Sequence, residues 1–454
     1  MSTQWTELHS QIISNFLFLI RERGIRYFIL RNYEGLPAEN KGKDVDIVIE
    51  PNSYKTVKEV LLQTLKHYNI KYYTTTRFDK MRCWYIMDIE KNFGLHIDLI
   101  ENISYKGYEF FSFEELYQNT ITYKTFTVLN DTYDTVMLLA QNLIAYGRLK
   151  EKYQHTILKK YQCNNAPIDR LIYSFWGKRI GFELIENLTK QDFNSIISQA
   201  GKLRSVAKQR IFFKKPIKTF FNIVHFVIGR FYRIVWCPKK FWRFFAVEAP
   251  DGTGKTTFIN NLINQLQYLY VSEPTKFVVH HFRPGILPNL GAVGEKAGVM
   301  KQDKNFTEPH RAKPASSLSS FVRMTYYWLD YVIGVPFILR KEVHYEKFTI
   351  FDRYIYDFIV DPHRTRIELP LWIRKIFAKC VIQPQLVFIL DAEASTIYKR
   401  KQELSPNEID RQLSLFRNLV KSHKRFLIID ANKRPDEVAR QALYVICEYY
   451  MNVV

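Results

Sequence analysis

One stretch, FFAVEAPDGTGKTT at residues 244–257, limits more than any other what this chain can fold into. A short apolar run from Phe244 to Val247 is typical of a buried strand, and it leads directly into a glycine-rich turn. The residues that follow place apolar side chains at helical spacing: Phe258, Leu262, Ile263, Leu266 and Leu269. Strand, glycine turn and helix in this order predict a loop that wraps around the phosphates of a nucleotide.

The residue types in the turn suit that chemistry. Gly252 and Gly254 let the backbone approach phosphate oxygens, Lys255 adds a mobile positive charge, and Thr256 offers a hydroxyl to Mg²⁺. The strict pattern G-x-x-x-x-G-K-[ST] has glycine where this chain has Ala249, a mild departure because alanine is the smallest replacement. We therefore expect ATP to be bound by the turn and the start of the helix: Asp251, Gly252, Thr253, Gly254, Lys255, Thr256 and Thr257.

Composition sets the class of protein. With 454 residues, 47% hydrophobic and 24% charged, the chain predicts two or three globular domains. Its five cysteines lie far apart without a C-x-x-C pair, so neither a zinc site nor a disulfide framework is indicated. The N-terminal residues MSTQWTELHSQ lack the pattern of a secretory signal. A cytoplasmic location is the expectation.

The N-terminal region carries acidic residues on predicted strands. In KDVDIVIE, Asp44 and Asp46 fall on the same face of a strand because side chains alternate with period two. Asp98 lies on a later strand, in HIDLI. Three carboxylates on neighbouring strands could hold two divalent cations and clamp a nucleoside triphosphate. The alternative is that these are ordinary strand-end and surface acids.

This arrangement, D-h-D on one strand and h-D-h on another, resembles the polymerase-β-type nucleotidyltransferase superfamily over Ile25 to Glu101. The resemblance implies metal-dependent nucleotidyl transfer with Asp44, Asp46 and Asp98 as metal ligands. Where that family carries a Gly-Ser pair after the first strand, this chain has Leu30-Arg31-Asn32, which would suit an inactive domain. We expect this domain to occupy residues 1–125.

Two helical stretches follow, at Asp131–Tyr161, with Asp131 as its N-cap, and at Pro167–Arg210. We interpret residues 126–210 as a helical appendage that gives the first domain a second wall.

A basic, aromatic connector covers residues 211–241. Between Gly201 and Phe245 the chain has twelve Lys or Arg and no Asp or Glu, which is more than half of its net charge of +21. Interleaved cations and aromatic rings on one helix fit the surface of a membrane, although the apolar run is too short to span it. A helix buried between domains is an equal alternative, and nucleic acid is the least expected partner.

The C-terminal region alternates strands and helices. Phe277–His281, Phe348–Phe351, Leu386–Leu390 and Leu427–Ile429 read as strands, which predicts an α/β fold with a parallel sheet and helices on both faces. Asp352 at a strand tip can order Mg²⁺ through water, and Arg353 can clamp anionic oxygens. Arg400 and Arg411 lie in a basic segment suited to closing over a migrating phosphoryl group. Asp391 is interpreted as a helix cap.

Residues 241–454 resemble thymidylate kinase and its relatives in five motifs: VEAPDGTGKTT, FRPG, FDRY, PQLVFILDAEAS and RKQELS. The resemblance implies ATP as donor, Mg²⁺ on Thr256 and Asp352, and catalytic roles for Lys255, Asp352, Arg353, Arg400 and Arg411. It implies acceptor contacts from Asp251, Arg283, Arg353 and Tyr354, with Asp251 on a sugar hydroxyl. We assign this domain to residues 242–454.

The acceptor half departs from that family, because the chain reads DRYIYDFIVDPHRTR where a Ser and a Tyr-Gln pair would seat the base. An acceptor other than thymidylate is therefore expected, and the fusion is similar to proteins found with bacterial surface-polysaccharide genes, which suggests a sugar phosphate or nucleotide sugar. We expect an ATP-dependent phosphotransferase that binds a nucleotide and a phosphorylated small molecule, with a homodimer and peripheral membrane contact as further expectations. Two alternatives stay open: a nucleotidyltransferase with an ATP-sensing kinase-like domain, and a non-catalytic ATP-binding membrane adaptor.

Overall fold

The computed structural model describes residues 5–40, 44–78, 80–235, 242–271, 274–288 and 316–454. The chain divides into two compact units, and each contains a β-sheet flanked by helices, so the predicted α/β class is confirmed. The first unit comprises Met1–Arg230, Tyr268–Val271 and Met451–Val454, and the second comprises Phe231–Gln267 and Ser272–Tyr450. The first unit thus takes in both the N-terminal domain and the helical appendage expected as separate segments.

The sheet of the first unit has eight strands. They are β1 (Tyr27–Ile29), β2 (Val45–Ile49), β3 (Tyr72–Phe78), β4 (Met81–Asp88), β5 (Phe93–Ile100), β8 (Thr120–Tyr123), β9 (Phe126–Leu129) and β15 (Asn452–Val453). A separate hairpin consists of β6 (Ser104–Tyr105) and β7 (Tyr108–Glu109). The order is β15-β3-β4-β5-β2-β1-β9-β8, with β2 parallel to β5 and β1 parallel to β9. Because β9 pairs with β1, the sheet extends past the boundary expected at residue 125.

Both faces of this sheet are buried, which explains the nearly continuous apolar character of its central strands. Ile29 and Ile47 belong to a core with residues of α1 (Glu7–Glu22) and α2 (Tyr54–His67). Phe28 and Val48, one residue along, belong to a second core on the opposite face. That second core is formed with helices α4 (Asp131–Ala140), α5 (Glu151–Cys163), α6 (Asn165–Trp176), α7 (Lys178–Thr189), α8 (Phe193–Ser198) and α9 (Ala200–Lys214).

The helical appendage differs from the prediction at two points. Asn130, rather than Asp131, is the N-cap of α4, and its side chain accepts a hydrogen bond from the Tyr133 N–H. The predicted continuous helix is broken, because α4 ends in a π-helical turn, Gln141–Tyr146, followed by Gly147 in a left-handed conformation at φ 66°. Short α3 (Phe113–Tyr117) precedes β8, and α10 (Pro216–Val235) follows α9.

The sheet of the second unit has five strands, and every neighbouring pair is parallel. They are β10 (Phe244–Glu248), β11 (Phe277–His281), β12 (Phe348–Asp352), β13 (Leu386–Asp391) and β14 (Phe426–Asp430), in the order β11-β12-β10-β13-β14. The flanking helices are α11 (Lys255–Leu269), α12 (Ser317–His344), α13 (Asp357–Val360), α14 (Leu371–Lys379), α15 (Ala394–Arg400), α16 (Pro406–Ser422) and α17 (Pro435–Tyr450). All four strands predicted after the glycine-rich turn at residues 249–256, called the phosphate loop below, are present.

Asp391 does not cap a helix as predicted. It closes β13 and accepts two hydrogen bonds from Arg417, at 2.8 and 3.0 Å, whereas Glu393 precedes α15. The described helices include none that is both long and apolar enough to cross a membrane.

Candidate active site

The phosphate loop lies at the carboxyl end of β10, the central strand, where open parallel sheets usually bind their ligands. Gly252 and Gly254 have positive φ angles of 86° and 98°, which side chains other than glycine rarely adopt. A Cβ atom at Gly252 would also lie 2.9 Å from Cβ of Lys401 and 3.2 Å from the Ile397 carbonyl oxygen. Glycine is therefore required here by conformation and by the close approach of α15.

Helix α11 begins at Lys255, so the N–H groups of its first turn lack partners within the helix and lie at the loop. The Lys255 Nζ atom donates to the carbonyl oxygens of Ala249 at 2.9 Å and Pro250 at 3.0 Å. Burial, together with repulsion by the positive charge of Arg353, lowers the pKa of Lys255 to about 8. An anion at the loop would favour the charged form of this lysine.

Asp251 is surrounded by cations. Its two carboxylate oxygens accept hydrogen bonds from Arg353 Nη2 and Arg364 Nη1, each at 2.5 Å, and Lys255 Nζ lies 3.7 Å away. Burial would raise the pKa of Asp251, but the charges of Arg353, Lys255 and Arg364 outweigh it and hold this pKa well below its usual value. The three cations converge on one anionic group beside the phosphate loop.

Arg353 is fixed by backbone and side chain alike. It is only 5% exposed and has φ 72°, a conformation that costs a residue other than glycine roughly 1–2 kcal/mol. Its Nη1 atom lies 3.1 and 2.9 Å from the two carboxylate oxygens of Asp357, which is fully buried. The pair holds the guanidinium at the carboxyl end of β12, beside Asp251.

Glu248 ends β10 and is fully buried. Its Oε1 atom accepts a hydrogen bond from the Tyr354 N–H at 2.7 Å, while Oε2 has no partner. Burial and repulsion by Asp357 raise the pKa of Glu248 well above its usual value, which favours the neutral form of its carboxyl group. It ties the loop after β12 to the central strand.

Asp352 and Thr256 are the residues predicted to hold Mg²⁺. The Oδ2 atom of Asp352 is 3.1 Å from His281 Nδ1, whereas its Oδ1 atom is buried without a hydrogen-bond partner. Thr256, in the first turn of α11, is exposed. A buried carboxylate oxygen that lacks a partner is consistent with a cation or its water shell at this position.

Of the other three arginines expected in the site, one lies beside the phosphate loop and two are bound to acidic residues. Arg400 Nη1 lies 3.4 Å from the Thr253 carbonyl oxygen, next to the phosphate loop. Arg411 is held by Glu408, at 2.6 and 2.7 Å, and by the Val360 carbonyl oxygen at 2.9 Å. Arg283 is held by Asp330 Oδ2 at 3.2 Å.

Tyr354 was expected to contact the acceptor, but its side chain is fully buried and its hydroxyl donates to the Ile382 carbonyl oxygen at 2.5 Å. It packs in the core of the second unit with Phe244, Phe351 and Tyr331. Its side chain therefore supports the loop that carries Arg353 and is not exposed to an acceptor.

Sequence reasoning gave no site role to Glu248 or His281, and it placed Asp357 and Arg364 only in the charged segment after Tyr354, without their partners. Two of them have a readable signal. Glu248 is an acid in an otherwise apolar strand, and Asp357 follows Arg353 at the four-residue spacing of a helical ion pair. Arg364 meets Asp251 from 113 positions along the chain, and no local pattern indicates such a contact.

In the first unit, the three predicted acids do come together. Asp46 on β2 and Asp98 on β5 are paired in register, and ligand oxygens of Asp44, Asp46 and Asp98 all lie within 4.8 Å of one another. Cys83 and His96 form an overlapping group with Asp98. The cluster lies on the side of Val48, the side that faces the helical appendage.

Arg31 contacts both carboxylate oxygens of Asp46 in this cluster. Its Nε atom donates to Asp46 Oδ2 at 2.6 Å and its Nη2 atom to Asp46 Oδ1 at 3.1 Å. Burial raises the pKa of Asp46 to about 6, against the opposing charge of Arg31. His96 Nε2 likewise lies 3.0 Å from Asp98 Oδ1. Because both Asp46 oxygens are bonded to a guanidinium, a two-cation arrangement does not fit these residues as they stand.

No protein-family model and no curated protein sequence matches this chain. Among solved structures, part of the chain is similar to thymidylate kinase from Ehrlichia chaffeensis, with 18% sequence identity and a TM-score of 0.30. That similarity covers 45% of this chain and 97% of the other. The function has to be inferred from the site itself.

Proposed function

We propose that the second unit is an ATP-dependent phosphotransferase that moves the γ-phosphate of ATP to a nucleotide or another phosphorylated acceptor. The observation that carries this proposal is the convergence of Lys255, Arg353 and Arg364 on the carboxylate of Asp251, beside a glycine loop at the start of a helix. The loop suits the donor triphosphate, and the cations beyond it suit a second phosphorylated group. Phosphoryl transfer between two phosphate-bearing molecules requires two anion-binding sites side by side.

The donor end depends on the loop and Lys255. N–H groups of the loop and of the first turn of α11 would hold phosphate oxygens, and Lys255 would exchange its two carbonyl partners for the phosphates. Arg400, beside Thr253, would contribute charge from the other side of the loop. Their common effect is to offset negative charge on the group in transfer, which in such reactions accounts for most of the catalysis.

Mg²⁺, when bound to the triphosphate, would neutralise part of its charge, and Thr256 and Asp352 are the residues that would hold it. This assignment rests on the buried Asp352 oxygen that has no partner.

The acceptor end depends on Arg353 and Arg364. Their hydrogen bonds to Asp251 keep both guanidinium groups oriented toward the loop, and each retains further N–H donors for an anion. Asp251 remains available to accept a hydrogen bond from a hydroxyl of the acceptor. A phosphate monoester of a hydroxylated molecule, either a nucleoside monophosphate or a sugar phosphate, satisfies both requirements.

A screen for acceptor-stimulated ADP release tests this proposal. Nucleoside monophosphates and sugar phosphates are added singly to the protein with ATP and Mg²⁺, and ADP formation is followed by a coupled assay. We expect at least one compound to raise the rate above that with ATP alone and to appear as its phosphorylated product by mass spectrometry. Release of ADP that no acceptor stimulates, with phosphate as the sole other product, would contradict transfer to an acceptor.

The pKa of Lys255 predicts a pH dependence of ATP binding. Because this pKa is lowered to about 8, the free protein loses the Lys255 charge as the pH rises above 8, and a bound triphosphate would restore it. ATP binding at pH 8.5 should therefore take up about 0.7 proton, and affinity should fall about tenfold between pH 7 and pH 9. Calorimetry in two buffers of different ionisation enthalpy measures the uptake.

The Lys255→Ala variant is the control for that measurement. It lacks the titrating amine, so the proton uptake should disappear and the remaining affinity should depend little on pH. Uptake of the same size in the variant would show that another group titrates, and the assignment to Lys255 would then be wrong.

A second candidate function, nucleotidyl transfer in the first unit, is favoured by the in-register pairing of Asp46 and Asp98. It is disfavoured by the bidentate contact of Arg31. Pyrophosphate release that is lost on changing Asp44 or Asp46 to Asn but survives Lys255→Ala would support it.

We propose that Arg31 serves as the cation of this cluster in place of a metal.

Changing Arg31 to Met should therefore destabilise the first unit and create a need for a metal ion. Removal of one partner from a buried ion pair costs on the order of 3 kcal/mol. The loss should be larger at pH 8 than at pH 5, because Asp46, with a pKa of about 6, can take up a proton at the lower pH. Urea unfolding followed by tryptophan fluorescence at both pH values measures it.

Mn²⁺ should restore part of the stability of Arg31→Met and leave the parent unchanged, because only the variant has free Asp46 oxygens. Arg26→Met is the matched control, since Arg26 pairs with Glu50 and Glu114 near the surface and its loss should cost less than about 1 kcal/mol. Equal stabilisation of parent and variant by Mn²⁺ would show that Arg31 does not take the place of a metal.

A further inference from the structure

Helix α10 has two faces in very different surroundings. Thr219 is 3% exposed, and Ile223 and Phe226 on the same side are partly buried. On another side, six large apolar residues have 55–73% of their surface exposed: Ile217, Phe220, Phe221, Val227, Ile228 and Phe231. Apolar side chains of this size are normally buried, so this face requires an explanation.

The exposed residues form one continuous stripe. Together with the partly buried Val224, their positions recur every three or four residues from 217 to 231, so they share one side of the helix along about 20 Å. The side that carries Thr219 and Phe226 lies about 140° away around the helix. Contiguous apolar patches of several such side chains mark interaction surfaces in most proteins.

The buried side fixes the helix to the first unit. A Cβ atom at Gly107, which has φ 90°, would lie 2.6 Å from the Ile223 backbone nitrogen, so the backbones are in close contact. Lys218 Nζ is 2.5 Å from Oε2 of Glu109, which lies two residues after Gly107 on β7. The helix is therefore held on the first unit by one face, while its apolar stripe is left exposed by the residues that the structure describes.

Positive charge borders the stripe. Lys218 and Arg230 project about 120° to either side of its centre, and Lys214 and Lys215 precede the helix, all four exposed. No Asp or Glu occurs between residues 201 and 245. Lys218 is paired with Glu109, but the other cations keep the surroundings of the stripe positive, which favours an occupant that is both apolar and negatively charged.

We propose that α10 binds the surface of an anionic lipid bilayer, with the stripe from Ile217 to Phe231 at the level of the acyl chains and the flanking cations at the headgroups. An amphipathic helix with an aromatic face and basic borders has the properties of an interfacial membrane helix. A second copy of the chain would place the same cations against one another, which is unfavourable. Nucleic acid would leave Ile217, Val227 and Ile228 without partners.

This binding is independent of the proposed phosphotransfer, and a direct test uses the full chain. Flotation with vesicles compares zwitterionic phosphatidylcholine alone with the same lipid containing about 30 mol% phosphatidylglycerol. We expect at least tenfold stronger binding to the anionic vesicles, and weaker binding at 0.5 M salt than at about 0.1 M because screening weakens the attraction of the cations. In Phe221→Trp, vesicle addition should shift tryptophan emission to shorter wavelength.

Two matched variants separate the apolar stripe from general exposure. The triple variant F220S/F221S/I228S should lose vesicle binding at least tenfold while keeping its circular dichroism spectrum. Phe182→Ser is the control, because Phe182 is also 59% exposed but lies on α7 of the same unit. This control should bind vesicles as the parent does.

Three outcomes would overturn the proposal. One is vesicle binding that the triple variant retains, and another is equal binding to zwitterionic and anionic vesicles. The third is a parent dimer, measured by light scattering without lipid, that the triple variant converts to a monomer, because the stripe would then be an interface between copies of the chain.

Discussion

Replacing Lys255 by alanine should slow phosphoryl transfer to the acceptor by two to three orders of magnitude, which corresponds to about 3 kcal/mol in the barrier. The expectation follows from the position of Nζ within the phosphate loop, where it now contacts two loop carbonyl groups. A charge in this place would act on the migrating group from a site that excludes water, where electrostatic contacts are strongest. Initial rates of acceptor phosphorylation at saturating ATP give the comparison.

The same substitution should leave the fold intact or stabilise it. Burial lowers the pKa of Lys255 from its usual value to about 8, so keeping it charged at pH 7 costs the folded protein up to about 3 kcal/mol. As the folded pKa lies below the unfolded one, this cost disappears when the pH rises from about 8 to about 10.5. A Lys255→Ala protein that is inactive yet at least as stable as the parent at pH 7 would separate chemistry from folding.

Lys341→Ala supplies the control, because Lys341 is an exposed lysine on α12 of the same unit. It removes one positive charge away from the phosphate loop and should leave the transfer rate unchanged. If Lys255→Ala transferred phosphate as fast as the parent, the central role proposed for this loop would be wrong.

The second unit could be predicted well from its sequence because its strands carry their own signals. Its three central strands, β10, β12 and β13, are covered on both faces and therefore read as nearly uninterrupted apolar runs, as in FFAV and LVFIL. The conformation of the turn was predictable as well, because Gly252 and Gly254 occupy positions with positive φ. These are local properties, and local sequence decides them.

The acceptor side could not be predicted to the same depth. Arg364 reaches Asp251 only because the segment after α13 folds back toward β10, and that arrangement depends on packing over the whole unit. Tyr354 is the opposite case. Its place in the FDRY motif predicted contact with the acceptor, whereas the packing around it makes it a core residue.

In the first unit, Asp44 and Asp46 lie close together as predicted, although β2 begins only at Val45, and the parallel pairing of β2 with β5 brings Asp98 beside them. The partner of Asp46 was not predicted, although Arg31 was recognised as unusual for its position. Strand β3 was also missed, because its tyrosine and threonine residues lack a strong apolar run.

The exposure of the apolar stripe on α10 could not be decided from sequence, because the spacing of apolar residues shows which of them share a face of the helix but not what covers that face.

Changing Arg353 to methionine should abolish transfer to the acceptor and also destabilise the second unit by about 3–5 kcal/mol. The reason for the destabilisation is Asp357, which is fully buried and receives both of its side-chain hydrogen bonds from this guanidinium. Asp251 would keep Arg364 and Lys255 as partners, so Asp357 is the residue left with an unpaired charge. Unfolding by urea and acceptor phosphorylation measure the two effects.

A double variant, Arg353→Met with Asp357→Leu, separates those effects. It removes both charges of the buried pair and replaces them with apolar groups of similar size, a change that often leaves stability unaltered or increased. We therefore expect stability near that of the parent while transfer to the acceptor remains lost, because no cation then extends from β12 toward Asp251. Arg353→Lys should be nearly as inactive, since a single ammonium cannot contact Asp251 and Asp357 together. Recovery of transfer in the double variant would show that Arg353 acts only by stabilising the fold and does not contact the acceptor.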